Sequence, residues 1–276
     1  PLYCPPTDDP LPESVQKELD AEMQDGAEDL VITDDMLARG IDLDDEQAVT
    51  DFAYEQILRI SQDIRDIVGP DRYLHLNGVP YRDCRRWEKH IEVECLPSGG
   101  WGYDTFSKQA AYARNLQDTV LYMTGRFQAS WGDFGGYKTV ASLENDCYDA
   151  VMNGCGLMIS DHMHPAGIEE RDIFRDIGRI YEKFMRYEPW TERCRYLPEL
   201  GVLTDCSGYL PDSYIGVARM LGELRYNFDV VHIDDDFSRF DVLILPDDLR
   251  VDERAAEKLR AHLARGGRIL SSGFSA

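Results

Sequence analysis

No run in this sequence approaches the ~18 consecutive apolar residues that a membrane span needs, so no transmembrane helix is expected. No secretory leader is visible. Basic residues are scarce: 29 Lys and Arg stand against 52 Asp and Glu, a net charge of −23. Nucleic acid and anionic membranes attract basic surfaces, so neither is an expected partner. The seven cysteines (Cys4, Cys84, Cys95, Cys147, Cys155, Cys194 and Cys206) form no C-x-x-C pair. Their odd number and scatter predict reduced, mostly buried thiols and a cytoplasmic location. G-x-S-x-G, the P-loop and a G-x-G-x-x-G following a strand are also missing. The sequence begins without Met and stops just after a strand-like run, so a piece of a longer protein is expected.

What is present suits two globular domains. The 276 residues exceed the ~100–200 of one typical domain, and 43% are hydrophobic, enough to build cores. Residues 7–46 are rich in Pro, Asp and Glu and read as a solvated acidic insertion with short helices near Glu13–Gln24 and Asp34–Ala38. A long helix follows from Glu46 to Val68, with Phe52, Ala53, Ile57, Ile60, Ile64 and Ile67 at helical spacing and Gly69-Pro70 as its stop.

The period then changes to two. Arg72–Asn77 and His90–Cys95 alternate apolar and polar residues, and Thr119–Thr124 and Gly156–Ser160 add two further strands. Helices are predicted over Thr105–Leu116, Val140–Met152 and Asp172–Met185. Strands alternating with helices imply parallel sheet joined by right-handed crossovers. The polar faces carry Tyr, His, Asn and Glu, as in a barrel whose lumen turns polar toward the strand ends. Four units are visible where eight are needed. The fold class is therefore α/β: the C-terminal half of a (β/α)8 TIM barrel, whose first half is expected upstream of Pro1. After Glu188-Pro189-Trp190 the pattern shifts to strands at Leu200–Thr204, Phe228–Ile233, Phe240–Pro246 and Arg268–Ser271, with helices at Asp212–Arg225 and Asp252–Arg265. This reads as a doubly wound domain of the flavodoxin or glutamine-amidotransferase-like type. The expected division is 1–192 and 193–276, with both domains incomplete.

Chemistry is concentrated after the barrel strands. Glu92 and Glu94 lie two apart on one strand, so both project to one side. A carboxylate near the rim can serve as general acid or nucleophile, or can orient an Arg or a sugar hydroxyl. Glu94 is nearer the rim and is preferred. In the following GGWGY, Trp101 and Tyr103 offer flat faces for sugar stacking, or simply pack a surface loop. In TGRFQASWGDFGGYK, the residues Arg126, Trp131, Asp133 and Lys138 place charge and an aromatic face on one loop; a local Arg–Asp pair that holds the loop is the alternative. In ISDHMHPAG, the residues Asp161, His162 and His164 match no standard zinc spacing, so sugar hydroxyls are preferred to a metal as their partners. Asn77 is a similar polar candidate at a strand end. No metal or cofactor is expected. Cys206 follows a strand of the second domain without a nucleophile elbow.

HIEVECLPSGGWGY, MTGRFQASWGDFGGYK, SDHMHPAG and YEPW together resemble the family labelled hypothetical glycosyl hydrolase 6, related to α-L-fucosidase-like and family 42 β-galactosidase-like barrels. The segment LGVLTD…FDVVHIDDDFSRFDVLILPDDLRVDE…GGRIL resembles the β-galactosidase trimerisation domain. The resemblance covers about Gln47 to the last residue. It implies a glycosidase using two carboxylates, ~5–5.5 Å apart if retaining and ~6.5–9.5 Å if inverting. It places one of them at the end of the fourth barrel strand, upstream of Pro1, and implies a homo-oligomer, a trimer among the options. Residues up to Glu46 depart from the compact loop of that family, which leaves the substrate open. The resulting expectation is hydrolysis of a terminal galactoside or fucoside. A carbohydrate-binding barrel without catalysis and a thiol-dependent activity at Cys206 are the competing readings.

Overall fold

The computed structural model describes residues 35–162, 166–167, 170–192, 194–247, 249–273 and 275. His164 and most of the acidic stretch 7–46, with the helix expected over Glu13–Gln24, lie outside the described residues. The chain divides into two compact units, Pro1–Gly69 and Pro70–Ala276. Among the described residues, no helix is long and apolar enough to cross a membrane.

In the first unit, helix α1 spans Glu46–Val68, the span that its periodicity predicts. The Asp45 side chain caps it by accepting from the Gln47 and Ala48 amides at 3.0 and 3.1 Å. Gly69 ends it at φ 84°. The predicted stripe is only partly buried. Phe52 is enclosed, whereas Ile60 and Ile67 are exposed.

The second unit is mixed α/β with two parallel sheets. The first holds β1 (Ile91–Glu94), β2 (Val120–Gly125) and β3 (Gly156–Ser160) in the order β1-β2-β3. Glu94 sits opposite Met123, and Gly125 opposite Ser160, so the three strand ends lie along one edge. Between them run α2 (Tyr81–Cys84, before β1), α3 (Thr105–Ala113) and α4 (Val140–Met152), and α5 (Arg171–Met185) follows β3. The α5 stripe Ile173, Ile177, Ile180 and Phe184 is buried as its spacing predicts.

One expected strand is not there. Residues 72–77 join no ladder. Leu76 gives its amide to Glu88 Oε1 at 2.6 Å, so a side chain satisfies the donor that a neighbouring strand would have taken. Alternation in the sequence reports two faces but does not supply a pairing partner.

After the short helix α6 (Glu188–Thr191) comes the second sheet. It contains β4 (Leu200–Thr204), β5 (Phe228–His232), β6 (Val242–Leu245) and β7 (Arg268–Ser271), ordered β5-β4-β6-β7. Its helices are α7 (Ser213–Glu223) and α8 (Glu253–Ala264). On α7 the buried face is Tyr214, Val217, Ala218 and Leu221. Of the apolar residues Val217, Met220, Leu221 and Leu224 that recur at helical spacing, the first and third are buried and Met220 and Leu224 face solvent. Both sets obey helical spacing, and packing against α3 selects the first.

Helix α3 is enclosed on all sides, with only Ser107 partly open. It lies in a single core that joins Ile91, Val93 and Tyr122 of the first sheet to Val202, Val230 and Ile244 of the second. This packing fixes the two sheets relative to each other.

Candidate active site

Beside β1 the second unit encloses a cavity of about 280 Å³. Asn77, Glu92 and Glu94 line it, together with His75, Glu88, Tyr81 and Tyr209. The period-two pattern of β1 sends Ile91 and Val93 into the core and turns both carboxylates to the other face.

The two carboxylates are held differently. Glu92 is flanked by histidines: His90 Nε2–H donates to Oε1 at 2.7 Å, and His75 Nε2 stands 3.8 Å from Oε2. His75 also faces Glu88 Oε2 at 3.7 Å, and the Glu88 side chain is fully buried. The neighbouring Glu88 carboxylate, opposed by burial and reinforced by the Glu92 charge, raises the His75 pKa above its ordinary value. Glu94 stands at the strand end with one oxygen accepting from Trp131 Nε1–H. Among the described residues no other hydrogen bond to its carboxylate is found, which leaves that group facing the cavity with acceptor capacity to spare.

Trp131 reaches Glu94 from the loop after β2. That loop is a tight hairpin: Phe127 bridges Tyr137, and Lys138 donates its amide to the Arg126 carbonyl at 2.7 Å. Asp133 spends its carboxylate inside the hairpin, accepting from the Ala129 and Gly136 amides at 3.0 and 3.2 Å. Gly125 is required by the close approach of the Trp131 ring, since an added Cβ would lie 2.7 Å from it. Gly99 lets the loop after β1 touch this hairpin, because a Cβ there would meet the Ala129 carbonyl oxygen at 2.6 Å. Beneath the hairpin, Lys138 is not a loop charge. It is buried and pairs with Asp146 at 2.5 Å.

A second cluster forms at the ends of β2 and β3. Arg126, almost wholly buried, donates through Nε to Asp161 Oδ1 at 2.5 Å and through Nη2 to His162 Nδ1. Asp161 also accepts the His162 amide at 2.8 Å. The expected loop pair Arg126–Asp133 is thus replaced by Arg126–Asp161. Phe127 links the clusters, with its ring 5.6 Å from Trp131 and 6.4 Å from His162. Trp101 packs edge-on to Tyr209 at 6.2 Å. Tyr103 points away, exposed, with its hydroxyl 3.4 Å from Ser142 Oγ.

The structure therefore brings Glu94, Glu92, Asn77 and Trp131 together, sets Trp101 beside them, and gathers Arg126, Asp161 and His162 next door. Asp133 and Tyr103 stand outside this group. Glu88, Tyr81 and Tyr209 were not singled out by the sequence; their side chains converge only through tertiary packing. His75 shares the polar face that the alternation of 72–77 identifies.

The six described cysteines are free, and four are buried. Burial raises the Cys206 thiol, and its Sγ–H donates to the Tyr209 carbonyl at 3.1 Å. An activated thiolate needs the opposite environment. Among the described residues, no group of three or more His, Cys, Asp or Glu could hold a metal ion.

No protein-family model matches the sequence, and no curated protein matches it. Solved structures do. The chain is similar to α-L-fucosidase isoenzyme 2 from Paenibacillus thiaminolyticus, at 32% identity and TM-score 0.78, over 88% of this chain and 39% of that one. It is also similar to a GH42 β-galactosidase from G. stearothermophilus, at 15% identity and TM-score 0.60, over 73% of this chain and 35% of that one. A β-galactosidase from Rahnella sp. R3 gives 16% identity and TM-score 0.61, over 81% of this chain and 40% of that one. The chain thus spans well under half the length of each. Its mixed α/β architecture with parallel sheets is a glycosidase-like fold.

Proposed function

We propose that this chain belongs to a glycoside hydrolase and supplies one of its two working carboxylates, Glu94. The observation that carries the reading is the contrast between neighbours on one strand. Glu92 accepts from His90 and has His75 3.8 Å from its other oxygen, so histidines flank it on both sides, while Glu94 is fixed at one oxygen by Trp131 and faces the cavity with no histidine paired to it among the described residues. A carboxylate pinned in this way has a defined direction and a free lone pair, as a general acid, general base or nucleophile requires.

In this reading, 1–192 is the second half of a (β/α)8 barrel and 193–276 a doubly wound domain like that of β-galactosidases. The partner carboxylate belongs to the other half of the barrel. Asn77, Trp101 and Trp131 bind sugar, and Arg126, Asp161 and His162 shape the neighbouring wall. The substrate in this reading is a terminal fucoside or galactoside, and the greater identity to an α-L-fucosidase than to the β-galactosidases supports trying the fucoside first.

The test uses the protein carrying this chain and nitrophenyl α-L-fucoside and β-D-galactoside, with wild type beside Glu94→Gln and Glu92→Gln. Nitrophenol release by wild type and a loss of ~10²–10⁴-fold in Glu94→Gln are expected. Sugar binding without turnover in wild type would favour a carbohydrate-binding barrel. Wild-type rates in both variants would remove Glu94 from the chemistry.

A further inference from the structure

The loop between β4 and α7, residues 205–212, belongs in sequence to the second sheet but is anchored to the first sheet's layer. Tyr112 donates its hydroxyl to the Cys206 carbonyl at 2.7 Å, and the Arg82 amide donates to the Ser207 carbonyl at 3.0 Å. Gln109 exchanges two hydrogen bonds with the Leu210 backbone, at 3.1 and 3.2 Å. Lys108, only 2% exposed, ends on the Leu210 and Pro211 carbonyls at 2.9 and 3.0 Å. Burying an ammonium is costly unless its donors are used. Here they are spent on fixing this loop.

Between those anchors sits Tyr209. Its hydroxyl donates to the backbone carbonyl of Glu94 at 2.7 Å. Its ring lies 5.1 Å from Tyr81 and 6.2 Å from Trp101. Glu94 is therefore held from two directions: Trp131 of the first sheet holds its carboxylate, and Tyr209 of the second sheet's loop holds its main chain.

From this geometry we infer that Tyr209 is a positioning residue for Glu94, so that the cavity is built by both sheets and the second sheet sets the aim of the carboxylate. The inference rests on the reading of Glu94 given above. A carbonyl at a strand end without a fixed donor leaves the backbone free to shift, and displacements near 1 Å at a reacting group cost ~100-fold in rate.

The test compares Tyr209→Phe, Tyr112→Phe and Glu94→Gln in the full protein with a nitrophenyl glycoside that wild type cleaves. Tyr209→Phe keeps the ring against Tyr81 and Trp101 and removes only the donor to Glu94. Tyr112→Phe removes a donor of the same kind from the base of the same loop, away from Glu94. Expected is a roughly tenfold fall in kcat for Tyr209→Phe, a fraction of the ~100-fold cost of a full 1 Å displacement. KM, the melting temperature and the Tyr112→Phe rate should stay near wild type. The limb of the pH–rate profile that disappears in Glu94→Gln should also move in Tyr209→Phe. Wild-type kcat and pH profile in Tyr209→Phe, with Glu94→Gln inactive, would overturn the positioning role and leave the glycosidase reading intact. An equal loss in both tyrosine variants would reduce Tyr209 to a general support of the loop and overturn it as well. Full turnover in Glu94→Gln would instead defeat the functional reading on which the role depends.

Discussion

In the first sheet, the carboxyl ends of β1, β2 and β3 present Glu94, Arg126 and Asp161, with a cavity at Glu94. In the second sheet, β4 and β5 run into Asp205 and His232, and the His232 ring is satisfied by nearby backbone groups. The Thr204 hydroxyl accepts the Cys206 amide at 3.1 Å. His232 donates through Nε2 to the Asp205 carbonyl at 3.2 Å and accepts the Asp234 amide at Nδ1 at 3.1 Å. Burial, with the nearby Arg82 charge, lowers the His232 pKa. Two parallel sheets thus differ at their strand ends: the first sets a carboxylate, Glu94, against a cavity, and the second spends its strand-end histidine on the backbone. Topology marks where a site can form, and the proposed function assigns it to the sheet whose carboxylate faces the cavity.

The largest expected effect tests what lies under the first rim. Lys138 and Asp146 pair at 2.5 Å with both side chains fully buried. Asp146→Ala leaves the ammonium without its counter-charge and should cost ~3–5 kcal/mol. Thermal denaturation should record a drop of roughly 10 °C. A change of only a degree or two would mean that the rim does not rest on this pair.

Trp131→Phe sharpens the comparison at the rim itself. It keeps the ring contact with Phe127 and removes the donor to Glu94. Loss of a hydrogen bond to a charged group is worth ~1.5–3 kcal/mol, so kcat should fall by ~10–100-fold in steady-state assays. A variant as fast as wild type would show that the Glu94 carboxylate needs no such anchor.

The next effect depends on pH. Burial, reinforced by the Asp146 charge and opposed by an Asn153 hydrogen bond, raises the Asp149 carboxyl on α4 to about 7. Between about pH 4 and pH 7 the folded protein holds a proton that the unfolded chain has released, so this group makes stability fall as pH rises through that window. Asp149→Asn should leave stability unchanged near pH 4 and raise it by about 1 kcal/mol at pH 8. A carboxyl raised from about 4 to about 7 would give ~4 kcal/mol if wholly enclosed, at ~1.4 kcal/mol per pH unit, and the half-buried position of Asp149 discounts it for solvent screening. Denaturant unfolding at the two pH values measures it; equal effects at both would contradict the assignment.

The smallest effect belongs to the second rim. Cys206→Ala should leave glycoside turnover within about twofold of wild type, consistent with the ~0.5 kcal/mol of a peripheral substitution. Abolished activity would erase the distinction between the sheets.

The elements were largely legible. The spans of α1, α4, β3, β4 and β7 follow from periodicity and from their Gly, Pro and capping signals, and the α5 stripe was buried residue by residue. Residues 72–77 misled because an alternating segment can be satisfied by a side-chain acceptor as well as by a strand. The α7 face was ambiguous because two sets of apolar residues share one period. Within the site, Glu92, Glu94 and Trp131 could be nominated because each lies on or just after a strand. Lys108 and Asp146 carried no signal in the sequence: Lys108 is buried by carbonyls about a hundred residues away, and Asp146 by the cation of a loop that folds back beneath the rim. Tyr209 carried no local signal. Its partner, the Glu94 carbonyl, is 115 residues away, brought close only when the two sheets pack around α3.

The most direct test is a crystal structure of the Glu94→Gln protein with an uncleaved nitrophenyl glycoside. The account predicts the sugar beside β1, with an atom of the scissile bond ~2.6–3.2 Å from the residue 94 carboxamide or one water away. A glycoside bound elsewhere, with residue 94 remote from the scissile bond, would contradict it.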